Sequence, residues 1–511
     1  GVLEAASFSG HAMVAPAESP EGASTLRPAE KTALSGGTTG TLTLEFSEPW
    51  PTGEVFQRDL RLTASYAGDC EVQLIPGYDN NDGDSYYSTV AGADLLHRHG
   101  ITGAGVTVAV LDSGLWDDPR LTHDTHGKPR VLASYDAIAG EKVDSAFDES
   151  GHGSHMTSIL AQSRVITRPG TEPGAWRGVA ADARLVVVKA FSREGQGDLL
   201  DIVRGVQWIV DHHEKYDIRV INLSFAAKPR WPYWQDPINQ ALMRAWKAGI
   251  VAVAAAGNEG PEAMTIGSPG NLPYLITVGA ITDSWTIDDP NDDYLPDFSS
   301  RGPTPSAHIK PDLVAPGGHM AGLTRPGSTL TEEFPEYQLG NGDFVMTGTS
   351  QAAALVSGLV ALLLQVEPEL TADDVKCKFL SSADPAINAD GRLSYSPFAQ
   401  GAGAISIQRA LTLGDTGCGN RGLDLDADIA GENHFEGPAI LAADGSPTLP
   451  GLARMVGSEP PEKGHSDNRR WGIKAHIERP RKTAKEADRS PDPQMPFDWH
   501  GLYLEEKERV E

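Results

Sequence analysis

The chain has 511 residues, 40% of them hydrophobic, with 55 Gly, 36 Pro and a formal net charge of −28. That length allows one large, well-cored domain with extensions, or several domains, and so much Gly and Pro argues for many loops rather than a helical bundle. The acidic balance argues against nucleic acid as a partner, because phosphate binding needs clustered Lys and Arg; three cysteines are too few for a disulfide scaffold, and no apolar run approaches the ~18 residues of a membrane helix.

Residues 1–40 are rich in Ala, Gly, Ser, Thr and Pro without a sustained period, and read as a linker or disordered segment. From 41 to 84 short alternating runs predict a small β unit with strands near Thr41–Phe46, Leu60–Ala64 and Glu71–Ile75. The acidic turn Asp79–Asp84 reads as a solvated turn. Aligning Gly83 with the sixth position of a calcium loop leaves Tyr78 at the first ligand position. From about Ser85 apolar, β-branched runs alternate with helical patterns. Strands are predicted at Val106–Leu111, Leu185–Val188, Ile218–Leu223, Ile250–Ala255 and Leu275–Val278, and helices at Leu199–His212 and Pro237–Lys247. This alternation predicts a parallel sheet covered by helices on both faces.

After Thr416 the alternation stops. Residues 458–494 are charged, proline-rich and poor in apolar groups, which predicts disorder, and Met495–Tyr503 forms an aromatic patch. Cys377 and Cys418 either pair and tie down the end of a domain, leaving Cys70 over, or all three stay reduced.

Four short segments carry chemistry. Asp112, in Leu111-Asp112-Ser113-Gly114, follows a buried strand, at the sheet edge where ligands bind. His152, in Gly151-His152-Gly153-Ser154-His155, stands between glycines before a helical run from Met156 to Ala161. Ser350, in Gly348-Thr349-Ser350-Gln351, opens an apolar helix, where backbone amides favour negative charge. Asn258, in Ala256-Gly257-Asn258-Glu259, follows another buried strand and has an amide able to donate to an oxyanion. Each has a plainer reading alone: a turn Asp, a capping segment or half a metal site, an N-cap Ser, a turn Asn. A metal at His152 and His155 lacks further ligands at suitable spacing. Together they form a set that nucleophilic acyl transfer requires: a weak hydroxyl nucleophile, a base, an acid that orients the base, and an oxyanion donor.

The chain order Asp, His, Ser is the established order of the subtilisin triad, and over roughly residues 85–415 the sequence resembles the subtilisin-like serine proteases, the secreted bacterial branch in particular. Gly178–Ala183, Asn222–Phe225, Gly267–Gly270, Phe298–Pro303 and Lys310–Gly317 match further stretches of that family. The resemblance implies an α/β three-layer fold for residues 85–415, flanked by the β unit and by a partly disordered C-terminal extension over 416–511. It implies a secreted, monomeric endopeptidase acting on protein or peptide substrates through an acyl-enzyme. Asp112 would be the orienting acid, His152 the base, Ser350 the nucleophile and Asn258 the oxyanion donor. Ser224, Phe225 and Ala226 would pair with an extended substrate, and Ala255, Ala256, Gly257 and Gly267 would line a primary pocket for Phe, Tyr, Leu or Met. No cofactor is needed for the chemistry. Structural calcium is compatible with the family but unassigned, the acidic run Asp288–Asp293 being one candidate. The departures are Gln351-Ala352-Ala353-Ala354, where Met-Ala-Ser/Thr-Pro is usual, Ser154 for Thr, and Ala226-Ala227 for Gly-Gly. The competing readings are an inactive relative that binds peptide or serves adhesion, and a narrow processing protease.

Overall fold

The structure is a computed structural model that describes residues 86–166, 174–283, 293–340, 342–388, 391–452 and 456, together with six strand segments in the first 84 residues. The turn at 79–84, the acidic run at 288–292 and everything beyond 456, the aromatic patch included, lie outside the described residues. The chain divides into two compact units, Gly1–Asp84 and Ser85–Val510.

The first unit is one antiparallel sheet of β1 (Leu3–Ser9), β2 (Ala12–Ala17), β3 (Thr25–Pro28), β4 (Thr41–Phe46), β5 (Leu60–Ala64) and β6 (Cys70–Leu74), in the order β4-β1-β2-β3-β6-β5. The last three lie within a residue of the expected runs. The first three correct the reading of residues 1–40 as a linker. A strand's ladder is made by backbone groups, so a segment of small residues can join a sheet without the apolar alternation that makes strands legible.

The second unit is built on eight strands: β7 (Thr107–Asp112), β8 (Val131–Asp136), β9 (Glu141–Val143), β10 (Arg184–Lys189), β11 (Ile218–Leu223), β12 (Val251–Ala255), β13 (Ile276–Ile281) and β14 (Leu313–Pro316). Their order is β14-β13-β12-β11-β7-β10-β8-β9, every pair parallel except β8 with β9. β7, β12 and β13 are buried throughout, as strands covered on both faces must be. On one face pack the helices Leu199–Tyr216 and Pro237–Lys247, on the other His152–Ala161 and Thr349–Val366. Asp198 and Asp236 start the first two by accepting from the amides of Leu200 and Ile238, with Pro237 preset for a first helical turn. The helix Thr349–Val366 is long and apolar enough to cross a membrane by composition, yet 89% of it is buried inside the protein; it is the core helix.

The chain continues past Thr416 as a packed strap. Cys377 and Cys418 are joined in a disulfide. Asp428 is buried and accepts from the Tyr233 hydroxyl (2.6 Å) and the Tyr274 hydroxyl (2.9 Å), with His434 Nδ1 2.7 Å from its other oxygen. Burial first, and then the Asp428 carboxylate, hold both phenols well above their ordinary range.

Candidate active site

The sheet's register brings the site together. β11 lies beside β7 with Asn222 opposite Val110, so Ser224, two residues on, comes level with Asp112 at the carboxyl edge. β10 lies on the other side of β7, so the strand order reverses here, and this is where open α/β sheets bind ligands.

Asp112 ends β7 fully buried. His152 opens its helix almost as deeply buried, its Nδ1 2.9 and 3.2 Å from the two Asp112 oxygens. One oxygen also accepts from the Ser113 amide at 2.7 Å. The flanking glycines are steric requirements. Gly151 has φ of 100°, a left-handed conformation that side chains avoid, and a Cβ on Gly153 would stand 2.3 Å from the Gly114 carbonyl oxygen. His155, one turn on, is part of the packing: its Nε2 lies 2.9 Å from the Phe344 carbonyl and 3.2 Å from that of Met320. Burial, only partly offset by those carbonyls, lowers its pKa to about 3.

Ser350 is in the first turn of the core helix. Its Oγ donates to the Ser224 carbonyl at 2.9 Å, and the Ser224 hydroxyl donates back to the Ser350 carbonyl at the same distance. Asn258 is oriented by two donors on its oxygen, the Thr349 amide (3.0 Å) and hydroxyl (2.9 Å). These assign Oδ1 and turn Nδ2 away from Thr349.

Of the expected substrate-binding residues, Ala226 stands between Gly257 and Gly267: its methyl is 3.4 Å and 2.7 Å from where their Cβ atoms would be. Ala255, Ala256 and Gly257 are buried beside it. The Phe225 ring packs on Phe191 in the core, centroids 5.0 Å apart, leaving its backbone for the groove. Ala227 pairs with Ser268 through both backbone bonds (2.9 and 2.7 Å). The Ser268 hydroxyl donates to buried Asp236 at 2.7 Å. One group here was not singled out in the sequence, and another was noted only as a departure from the family pattern. Asp148, four residues before His152, is fully buried; a carboxylate just ahead of a helix start was its one local signal. Gln351 is buried with neither side-chain polar atom hydrogen-bonded among the described residues.

Elsewhere, Asp124, His126 and Asp182 bring ligand atoms within 4.8 Å of one another. Asp124 Oδ1 already accepts from the His126 and Lys128 amides, and Asp182 Oδ1 from that of Thr125. A surface groove lined by Trp246, Asp373 and Leu425 opens near Gly249, at the amino edge of β12 and so at the opposite end of the sheet from Asp112.

A buried acid–imidazole pair stands at the carboxyl edge of the parallel sheet, and a serine opens the core helix. The family model described as the subtilase family, Peptidase S8, matches residues 103–403, and the chain belongs to that family, as a serine endopeptidase. It is 36% identical to serine protease AprX of Bacillus subtilis (strain 168) over 316 residues, which are 61% of this chain and 67% of the relative. It is 31% identical to the extracellular serine proteinase of Thermus sp. (strain Rt41A) over 311 residues, 60% of this chain and 63% of the relative. Among solved structures, the S41 psychrophilic protease is 27% identical with a TM-score of 0.48, covering 60% of this chain and 93% of its own.

Proposed function

We propose that the protein is a secreted, monomeric endopeptidase that cuts protein or peptide chains with Asp112, His152 and Ser350. The observation that carries the reading is the buried Asp112–His152 hydrogen bond at 2.9 Å, with the Ser350 hydroxyl held by the carbonyl of Ser224, just past the neighbouring strand β11. Ser350 Oγ turns from that carbonyl to His152 Nε2, which takes its proton as Oγ bonds to the scissile carbonyl carbon. Asp112 accepts from Nδ1, fixes the tautomer and stabilises the imidazolium. The oxyanion is met by Asn258 Nδ2 and the Ser350 amide, a donor left free at the helix start. His152 passes its proton to the leaving amine, and water repeats the sequence to release the acid. Side chains and water suffice for these steps.

Secretion is supported by the extracellular relative. Ser224–Ala226 offer backbone to an extended substrate. The small lining of Ala255, Ala256, Gly257 and Gly267 favours Phe, Tyr, Leu or Met before the cleaved bond, with the Ala226 methyl narrowing the space. A fluorophosphonate probe on the full chain, beside Ser350→Ala, tests the nucleophile. Labelling lost in the variant is the expected result. A chain that stays unlabelled, even after limited proteolysis, overturns the reading in favour of an inactive peptide-binding module, and cleavage only after Arg or Lys in a peptide panel overturns the pocket assignment.

A further inference from the structure

The loop before His152 holds a second carboxylate that this chemistry does not use. Asp148 is fully buried and receives four hydrogen bonds. One oxygen accepts from the Ser113 hydroxyl (2.9 Å) and the Gly151 amide (2.8 Å). The other accepts from the Ser154 amide (2.8 Å) and hydroxyl (2.6 Å). All four donors are neutral. They flank the two reacting groups, because Ser113 follows Asp112 in the chain while Gly151 and Ser154 bracket His152.

Ser113 is the point of contact. Its oxygen accepts from the Gly153 amide at 2.9 Å and lies 3.3 Å from Asp112 Oδ1. A hydroxyl has one proton to donate, and the shorter contact is with Asp148. Asp148 thereby draws that proton away from Asp112, whose Oδ1 keeps the Ser113 amide and His152 Nδ1 as its close donors. Through Gly151 and Ser154 the same carboxylate pins the first helical turn, so it fixes both ends of the Asp112–His152 bond.

We propose that Asp148 is a positioning residue for the Asp112–His152 pair, and that its negative charge favours the imidazolium formed during the reaction. This rests on the reading of Asp112, His152 and Ser350 as the triad. The other ionisable groups around the pair are few. Lys189, level with Asp112 on β10, is turned to the Phe147 carbonyl and to Glu149. His155 shares the helix and stays neutral.

The test is steady-state kinetics of the full chain, with rates expressed per active site titrated by a fluorophosphonate. For Asp148→Asn the expected result is a fall in kcat of about 10–100-fold, the scale seen when partners that orient metal-bound side chains are removed, with KM within about 2-fold. The acid limb of kcat/KM should move to lower pH, because a less stabilised imidazolium loses its proton sooner. Ser113→Ala should lower kcat alone, and add little in the Asp148→Asn background. An Asp148→Asn enzyme with normal kcat per titrated site and an unmoved acid limb overturns the inference. If that variant does not fold, Ser113→Ala with unchanged kcat and acid limb overturns it equally. Full activity in Ser350→Ala would sink the triad reading instead.

Discussion

Two buried carboxylates in this protein are kept in opposite ways. Asp148, beside the site, is held by four neutral donors. Asp312, ahead of β14, is held by two ammonium groups, those of Lys310 and Lys376, both almost wholly buried, together with the Thr277 amide at 2.7 Å. Burial alone would raise the Asp312 pKa; the two lysines outweigh it and hold the carboxyl below its usual range. Lys310 is pushed down to about 7, chiefly by burial and also by its neighbour Lys376. Neutral donors solvate a charge without cancelling it, so its field still reaches neighbouring groups. Paired ammonium groups cancel it locally and turn it into a clamp. The first arrangement suits a reaction that creates a positive imidazolium; the second joins Lys310, the helix Ala372–Ser382 and the loop at 273–275, whose carbonyls also receive Lys376.

The sharpest way to break this contrast is Asp312→Asn. Removing one member of a buried charge cluster leaves two uncompensated lysines, and an expected loss of about 3–5 kcal/mol in urea unfolding. The kcat per titrated site should stay unchanged, the reverse of Asp148→Asn. A next, smaller effect separates the regions by pH. His155 beside the site and His308 near the strap have pKa values lowered to about 3 and about 4, burial being the main cause in each. The unfolded imidazoles take protons near 6.5, so between that pH and the folded values the unfolded chain binds more protons, and stability falls as pH falls. From pH 6.5 to 4.5 the share of His155 should be about 2–3 kcal/mol. Unfolding midpoints of the wild type and of His155→Gln across that range should show a flatter acid slope in the variant. The smallest effect concerns Gln351, whose buried amide makes no hydrogen bond among the described residues. Gln351→Met should raise stability by about 1 kcal/mol, read as a higher urea midpoint; a lower midpoint would mean that the amide has a partner in solution.

What was legible in the sequence was whatever the chain writes locally. β12 is an unbroken apolar run, β7 is one between Thr107 and Asp112, and β11 is apolar apart from Arg219 and Asn222; each motif residue stands within three residues of a strand or helix end. Asp148 was not singled out, because its meaning depends on Ser113, 35 residues earlier in the chain. β8 escaped because Val-Leu-Ala-Ser-Tyr-Asp neither alternates nor runs apolar, and its burial is uneven. Lys310 and Lys376 look like surface residues, since lysine is rarely buried without a partner, and their partner was invisible until the loops met. The strap after Thr416 has no periodicity because its order comes from Tyr233, Tyr274 and the cysteine pair, not from its own residues.

That strap carries the folding unit past the family match. Asp428 reaches Tyr233 across 195 residues, and three residues beyond Tyr233, Asp236 anchors Ser268 next to Gly267. The family match stops at residue 403. A gene shortened to that match would encode Asp112, His152, Asn258 and Ser350, yet omit the ties at Cys418 and Asp428. On the ribosome, Tyr233 and Tyr274 gain their common carboxylate only after residue 428 has been made.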